Sequence, residues 1–332
     1  MPIREAEIKK MLVLDLGQVG DVVMSFPALI ALRKHFPLTE MVAVAGKTPA
    51  ALLGDLGLVD RVIPIDRYGL LRGRKPASIS KILDIVRQIR KQKFDLVVDL
   101  HSLYETNLLG YFSGARYRLF ADRRNRSLNF LSSVRPNPPL YDPSKHLAEI
   151  YLDVLRPLGI SGADVDIKII PPVDLSEKFR AEYIKPGSET RKLVGMLIGA
   201  GNASRKWPLK NFVELAKRFD VSGNQQLFVF TGPEEKQDET SIREQFDGLA
   251  VVVPDLSLIE LAAAFSTMHM VIGNDTGTTH LAAVSGPRVI MISDKRAPNT
   301  FAPLGSRSKV VKPNVIQEIT VDDVWEAVDL PE

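Results

Sequence analysis

At 332 residues, with 45% hydrophobic and 25% charged side chains, the chain exceeds a usual single core and fits two α/β domains; without cysteine it excludes disulfides, a thiolate nucleophile and a cysteine zinc site. Nowhere do about 18 apolar residues follow one another, and the first ten mix acidic with basic side chains, so neither export nor membrane spanning is expected and a cytoplasmic location is. The net charge of +3 conceals an asymmetry: residues 1–173 carry 25 Lys and Arg against 18 Asp and Glu, or +7, and residues 174–332 carry 18 against 22, or −4.

Apolar runs at 11–16, 41–45, 61–65 and 95–100 predict strands, and they alternate with helical patterns at 27–36 and 77–92. That is the rhythm of a parallel sheet with crossover helices, one Rossmann-like unit. Two basic runs lie in this half: Arg67, Arg72, Arg74 and Lys75, then Arg116, Arg118, Arg123, Arg124 and Arg126. Such runs are ordinarily solvated faces. They can also gather anionic partners or hold a protein at acidic lipid, but without interleaved aromatics or a binding motif they do not indicate nucleic acid.

A loop rich in Arg, Asn and Pro spans 121–143, a helix follows at 144–157, and Ile169-Ile-Pro-Pro-Val leads to a boundary after Val173. The rhythm then restarts. Strands at 193–198, 226–231, 249–253, 269–273 and 287–292 alternate with helices at 209–220, 257–266 and 277–285. Two Rossmann-like domains, 1–173 and 174–332, facing a central cleft constitute the GT-B architecture, which is the fold class expected. The amphipathic segment 320–330 is a candidate to pack back on the first domain.

Three strand ends carry chemistry. In the first, a strand runs into Gly17-Gln-Val-Gly20-Asp21, and with a helix beginning near Pro27 Asp21 stands in the loop rather than serving as a helix cap. The second, Gly199-Ala-Gly-Asn-Ala-Ser-Arg205-Lys206-Trp-Pro, sets two cations before a helix, where they can hold a diphosphate; Trp207 reads as packing. The third, Val271-Ile-Gly-Asn-Asp275-Thr276-Gly277-Thr278-Thr279-His280, is a strand-to-helix turn whose unpaired N–H groups suit an anion, with Asp275 and His280 beside them.

Rival chemistries lack their marks. Gly17-x-x-Gly20 is not the dinucleotide fingerprint, the second strand ends in Gly46-Lys47 where a ribose-binding acid would stand, and there is no P-loop. Asp164-Val-Asp166 imitates a metal motif, but its alternating polarity predicts a short strand, and the five histidines lack paired ligand spacing. A metal-independent mechanism without cofactor is therefore preferred.

The three segments together resemble glycosyltransferase family nine, the bacterial lipopolysaccharide heptosyltransferases. Gly20-Asp21 with Pro27-Ala28-Leu29, Arg205-Lys206-Trp207-Pro208, and Asn274 through Ala283 match the family's elements in order and spacing, and Asp99-Leu100-His101 and Gly114-Ala115-Arg116 are weaker likenesses. The resemblance implies inverting transfer of heptose from ADP-heptose to an anionic, lipid-linked core oligosaccharide, at or near the inner membrane. It implies Asp21 as base; Arg205, Lys206, Glu235, Asp275, Thr276, Gly277, Thr278 and His280 on the donor; and Gly20 and His101 on the acceptor, where the +7 balance and the basic run after a strand end add Arg116, Arg123 and Arg124 as expected contacts to its anionic groups. Met24 stands where many members have His, so a polar contact near the acceptor is either missing or supplied by His101. A sugar-nucleotide 2-epimerase of the same architecture and a non-enzymatic sugar-nucleotide binder are the alternatives.

Overall fold

The computed structural model describes residues 3, 5–66, 76–184 and 191–329, and the basic run Arg67, Arg72, Arg74 and Lys75 lies outside them. The chain divides into two compact units, Met1–Val165 and Asp166–Glu332. The division falls at the Asp164-Val-Asp166 segment, which forms no strand; Asp166 instead accepts a hydrogen bond from Ser306 N at 3.3 Å.

In the first unit, β1 (Lys10–Asp15), β2 (Glu40–Gly46), β3 (Arg61–Ile65), β4 (Leu96–Asp99) and β5 (Tyr117–Phe120) form a parallel sheet in the order β3-β2-β1-β4-β5. Strands covered on both faces read as unbroken apolar runs, which is why 11–14, 41–45 and 96–98 were legible. The helices are α1 (Val19–His35), α2 (Lys47–Asp55), α3 (Pro76–Lys91), α4 (Tyr104–Phe112) and α5 (Leu147–Val154).

Helix α1 corrects the expected start near Pro27. Gln18 is its N-cap, and Asp21, three residues in, accepts from Gln18 N at 2.8 Å, so nucleation happens two turns earlier. Pro27 lies inside the helix. Its lost hydrogen bond costs about 3 kcal/mol in isolation, a cost offset by burial of Val22, Val23, Met24, Phe26 and Leu29.

The second unit holds β6 (Lys192–Leu197), β7 (Gln225–Phe230), β8 (Val251–Val253), β9 (Met270–Asn274), β10 (Arg288–Ile292) and β11 (Ser308–Val311), parallel in the order β11-β10-β9-β6-β7-β8. Its helices are α6 (Val173–Tyr183), α7 (Leu209–Ser222), α8 (Glu239–Gln245), α9 (Leu258–Ser266), α10 (Gly277–Ser285) and α11 (Val321–Asp329). In each sheet the strand order reverses beside its first strand, between β1 and β4 and between β6 and β9. Ligands of open parallel sheets bind at the carboxyl ends of strands at such a reversal.

The terminal helix packs within the second unit. Trp325 meets Phe219 of α7 at 5.0 Å between ring centroids, with the Arg218 guanidinium over its ring at 4.5 Å. The buried Arg288 donates to Ala327 O at 2.6 Å and Val328 O at 3.2 Å, placing a cation at the negative end of α11. Replacing Arg288 with Ala strips these carbonyls of their charged donor and is expected to destabilise the second unit by about 2–3 kcal/mol, measurable by urea unfolding followed through tryptophan fluorescence.

Candidate functional site

In the second unit the β6 and β9 ends are tied by one side chain. Asn274, fully buried, donates from Nδ2 to Ile198 O at 2.9 Å and Gly199 O at 3.2 Å, and its Oδ1 accepts from Trp207 N at 2.9 Å. Trp207 is held in turn by Nε1 donating to Ile319 O at 2.7 Å and packs as expected. The segment carrying Arg205 and Lys206 is thereby fixed beside the Asp275 turn.

Lys206 Nζ pairs with the buried Glu235 at 2.6 Å, while the other Glu235 oxygen accepts from Gly232 N at 3.2 Å. Glu235 also presses on the β6 end, since a side-chain carbon on Gly199 would stand 2.6 Å from its Oε2. Arg205 is exposed and forms no ion pair among the described residues, though its charge acts on Asp275.

At the α10 N-terminus the hydroxyls of Thr276, Thr278 and Thr279 cluster, with Thr276 Oγ1 3.0 Å from Thr278 Oγ1 and 3.2 Å from Thr279 Oγ1. Thr279 Oγ1 donates to Asn274 O at 2.6 Å, and its amide and that of His280 turn back to Thr276 O. The amides of Gly277 and Thr278 have no partner among the described residues. Asp275 accepts from Ser293 Oγ at 3.1 Å and faces His280 Nε2 at 3.9 Å. Burial opposes its ionised form, but His280, the Arg205 charge and Ser293 outweigh burial and hold its carboxyl below the ordinary range. His280 is buried, and its Nδ1 has no hydrogen-bond partner. Arg205, Lys206, Glu235, Asp275, Thr276, Gly277, Thr278 and His280 are thus brought to one strand-reversal edge. Asn274 and Ser293 were missed as contributors, because a buried amide and a serine after a strand carry no distinctive spacing.

In the first unit the β1 and β4 ends each bury a carboxyl, Asp15 and Asp99, to which the sequence assigned no role. Asp15 Oδ1 accepts from Gly17 N at 3.2 Å, whereas its Oδ2 is buried and unpartnered. Burial pushes it up to about 6, against the pull of Ser25 and Gly17 and with the Asp21 charge adding to the rise. Asp99 accepts from Ser102 N and Asn107 Nδ2, each at 2.7 Å, yet burial pushes it up to about 7. Asp21 is half-buried at the head of α1, with Gly20 in the same first turn. Gly17 has no alternative there, since a Cβ would stand 2.4 Å from Asp21 Cβ.

His101 lies just past β4, its Nδ1 3.4 Å from the buried Tyr151 hydroxyl and its carbonyl accepting from Arg123 Nη1 at 2.9 Å. Arg123 also stacks over Tyr141, its guanidinium carbon 4.7 Å from the ring centroid. Arg124 is exposed, with φ +40° and its amide donating to Asp122. Arg116 does not join them. β5 interrupts the basic run: Arg116 precedes the strand and pairs with Glu7 at 2.8 Å, while Arg123 and Arg124 follow it. Charged residues at 116 and 118 hid this short strand from the apolar pattern.

Residues 82–322 match the model of glycosyltransferase family 9 (heptosyltransferase). The lipopolysaccharide core heptosyltransferase OpsX of Haemophilus influenzae is 23% identical over 318 residues, 94% of this chain and 86% of that protein. The solved glycosyl transferase family 9 structure from Veillonella parvula superposes with a TM-score of 0.82 at 21% identity, covering 98% of this chain and 97% of that one. The E. coli heptosyltransferase WaaC with ADP superposes at 0.79 with 18% identity, covering 96% and 99%. The chain belongs to glycosyltransferase family 9, the heptosyltransferases, and has their two-unit GT-B fold. Family membership sets aside the epimerase alternative and makes the protein a transferase.

The raised Asp15 carboxyl has a consequence for stability. Its proton is held to about pH 6 in the fold but released near 3.8 when unfolded, so its contribution is fully present below the unfolded value and lost as pH rises through about 6. Asp15→Asn, neutral throughout, escapes that loss. Relative to the parent its stability should rise by about 2–3 kcal/mol between pH 4 and 7, read from denaturation curves at each pH.

Proposed function

We propose that the protein transfers heptose from ADP-heptose, with inversion at the anomeric carbon, to a hydroxyl of an anionic, lipid-linked lipopolysaccharide core acceptor. One observation carries this reading: at the strand reversal of the second unit stands an anion seat in which, among the described residues, the Gly277 and Thr278 amides have no partner and Arg205 forms no ion pair. A diphosphate supplies what these groups lack. Gly277 and Thr278 N–H donate to its oxygens, Arg205 neutralises it, and Lys206 trades its Glu235 contact for phosphate. WaaC of E. coli, a protein of the same fold, was solved with ADP. OpsX is a lipopolysaccharide core heptosyltransferase by name, which supports a core acceptor here.

In the transfer, the acceptor oxygen attacks the anomeric carbon while Asp21 takes its proton. The new C–O bond forms as the bond to the β-phosphate oxygen breaks, and ADP leaves with the electron pair, its charge met by Arg205, Lys206 and the α10 end. Gly20, His101, Arg123 and Arg124 attend the acceptor; His101 and Arg123 are already ordered against Tyr151 and Tyr141. Arg116, paired with Glu7 at the far end of β5, has no part in this assignment. A cytoplasmic location with a loose hold on the anionic inner-membrane surface belongs to the same proposal and rests on the +7 balance of residues 1–173.

Asp21→Asn keeps an oxygen for Gln18 N and loses the base. Transfer from ADP-heptose is expected to fall by about 10²–10⁴-fold with ADP affinity unchanged by calorimetry, and a loss below tenfold removes Asp21 from the role. Arg205→Ala and Lys206→Ala should each weaken ADP binding by about tenfold or more, and EDTA should leave the parent's affinity unchanged because the protein supplies the positive charge. Abolition by EDTA, or no effect of either substitution, overturns the donor site.

A further inference from the structure

Helix α4 is turned the wrong way round for a surface helix in water. Such a helix ordinarily sends its apolar stripe to the core and its polar face to solvent. Here the residues sent inward are Thr106, Asn107 and Gly110, all buried. Asn107 Nδ2 donates to Asp99 at 2.7 Å and its Oδ1 accepts from Leu128 N at 2.6 Å, and Gly110 lies so close to β5 that an added side-chain carbon would stand 2.8 Å from the Phe120 ring. Polar matching and close approach fix the helix, so its bulky stripe is left outside: Tyr104, Leu108, Tyr111 and Phe112, one above another at helical spacing, are each 42% to 46% exposed. Phe130, on the short turn Asn129–Leu131 that packs on α4, is 73% exposed. Beside α4 the patch continues into an apolar groove of about 310 Å³ lined by Ile82, Ile85 and Val86 of α3 and by Leu108 and Phe112, with Glu105 and Thr106 as its polar residues.

The patch has a positive edge. Residues 104–131 contain Arg116, Arg118, Arg123, Arg124 and Arg126 against Glu105 and Asp122. The Arg118 guanidinium lies over the Tyr111 ring, 5.4 Å from its centroid, and the Tyr104 hydroxyl donates to Asn125 O in the turn that exposes Arg124 and Arg126. Both tyrosines thus stand between the apolar stripe and arginines, an order of groups that fits an apolar interior bounded by anionic headgroups. We infer that this face of α4, with Phe130, docks the protein on an anionic lipid bilayer: Leu108, Phe112 and Phe130 enter the boundary of the hydrocarbon, while Tyr104, Tyr111 and the arginines stay among the headgroups. A second copy of the chain would bring the same excess of arginine to the patch, whereas an anionic leaflet brings the opposite charge. Docking deepens the proposed hold on the membrane by giving it a surface, and it is read without donor or acceptor, so its failure and that of transfer are distinguishable.

The full-length protein is floated with vesicles free of donor and acceptor, made either of phosphatidylcholine or of equal parts of phosphatidylcholine and phosphatidylglycerol. The parent should float with the mixed vesicles, less so at high salt, and bind phosphatidylcholine alone about tenfold or more weakly. L108Q/F112Q/F130Q should lower partition to the mixed vesicles by about tenfold or more, while transfer to an acyl-free core acceptor stays within about twofold of the parent. No binding by the parent, equal binding to both vesicle types, or equal binding by the variant overturns the inference. So does binding that requires acceptor in the vesicle, which assigns the face to the acceptor's own acyl tail, or a parent dimer in sedimentation velocity that the variant loses, which assigns it to a second copy. A reading on the parent alone is independent of any variant's folding: on mixed vesicles, hydroxyl-radical labelling of Tyr111, Phe112 and Phe130 should fall about twofold or more, and unchanged labelling in the bound protein overturns the inference. Vesicle binding that meets these expectations without any transfer supports the docking face and removes the proposed reaction.

Discussion

The second unit depends on the buried amide of Asn274. A polar side chain at the end of a central parallel strand must have every donor and acceptor matched, or its burial costs about 1–3 kcal/mol per unpaired group. Asn274 meets this by donating to two carbonyls past β6 and accepting from Trp207 N, which fixes the loop that carries Arg205 and Lys206. Thr279 adds the complementary tie by donating to Asn274 O, so the helix end with its free amides is set by the same residue. The cations and the N–H groups therefore reach one edge as a consequence of hydrogen-bond matching at the strand reversal.

The first unit solves the corresponding position differently. Asp15 and Asp99 end neighbouring strands as buried carboxyls, and Asp99 spends both oxygens on Ser102 and Asn107. Ser102 is held at φ +48°, an unfavourable backbone for serine, by that bond and by its own hydroxyl donating to Ala121 O. The strained residue follows His101 directly, so the network that absorbs the strain also fixes where the histidine stands. Asp15 leaves one oxygen unpartnered, whereas in the second unit Glu235 is paired with Lys206.

Both candidate sites were partly legible because glycine, threonine and paired cations at strand ends leave a local signature. Gly17, Gly199, Arg205, Lys206 and Asp275 through His280 were found that way. Asp99 and Asn274 were noticed only as members of family-like segments, and Asp15 passed as a strand residue, since one polar residue ending an apolar run has no spacing to mark it. Glu235 came from family likeness alone; its hold on Lys206 joins residues 29 positions apart and has no local trace.

The apolar runs by themselves determined the parallel sheets, because strands covered on both faces must be apolar throughout. They also determined most helix positions and the turn at α10. Only the tertiary structure decided where α1 begins, since Pro27 looks like a helix start until the burial around it outweighs its lost hydrogen bond. It also split the arginine run, because a four-residue strand with Arg118 inside it is recognised by its pairing with β4 rather than by its own pattern. The terminal helix shows the same dependence. Its amphipathic pattern specifies that one face must be buried, while the choice of surface belongs to Phe219, Arg218 and Arg288, partners that no local periodicity can name.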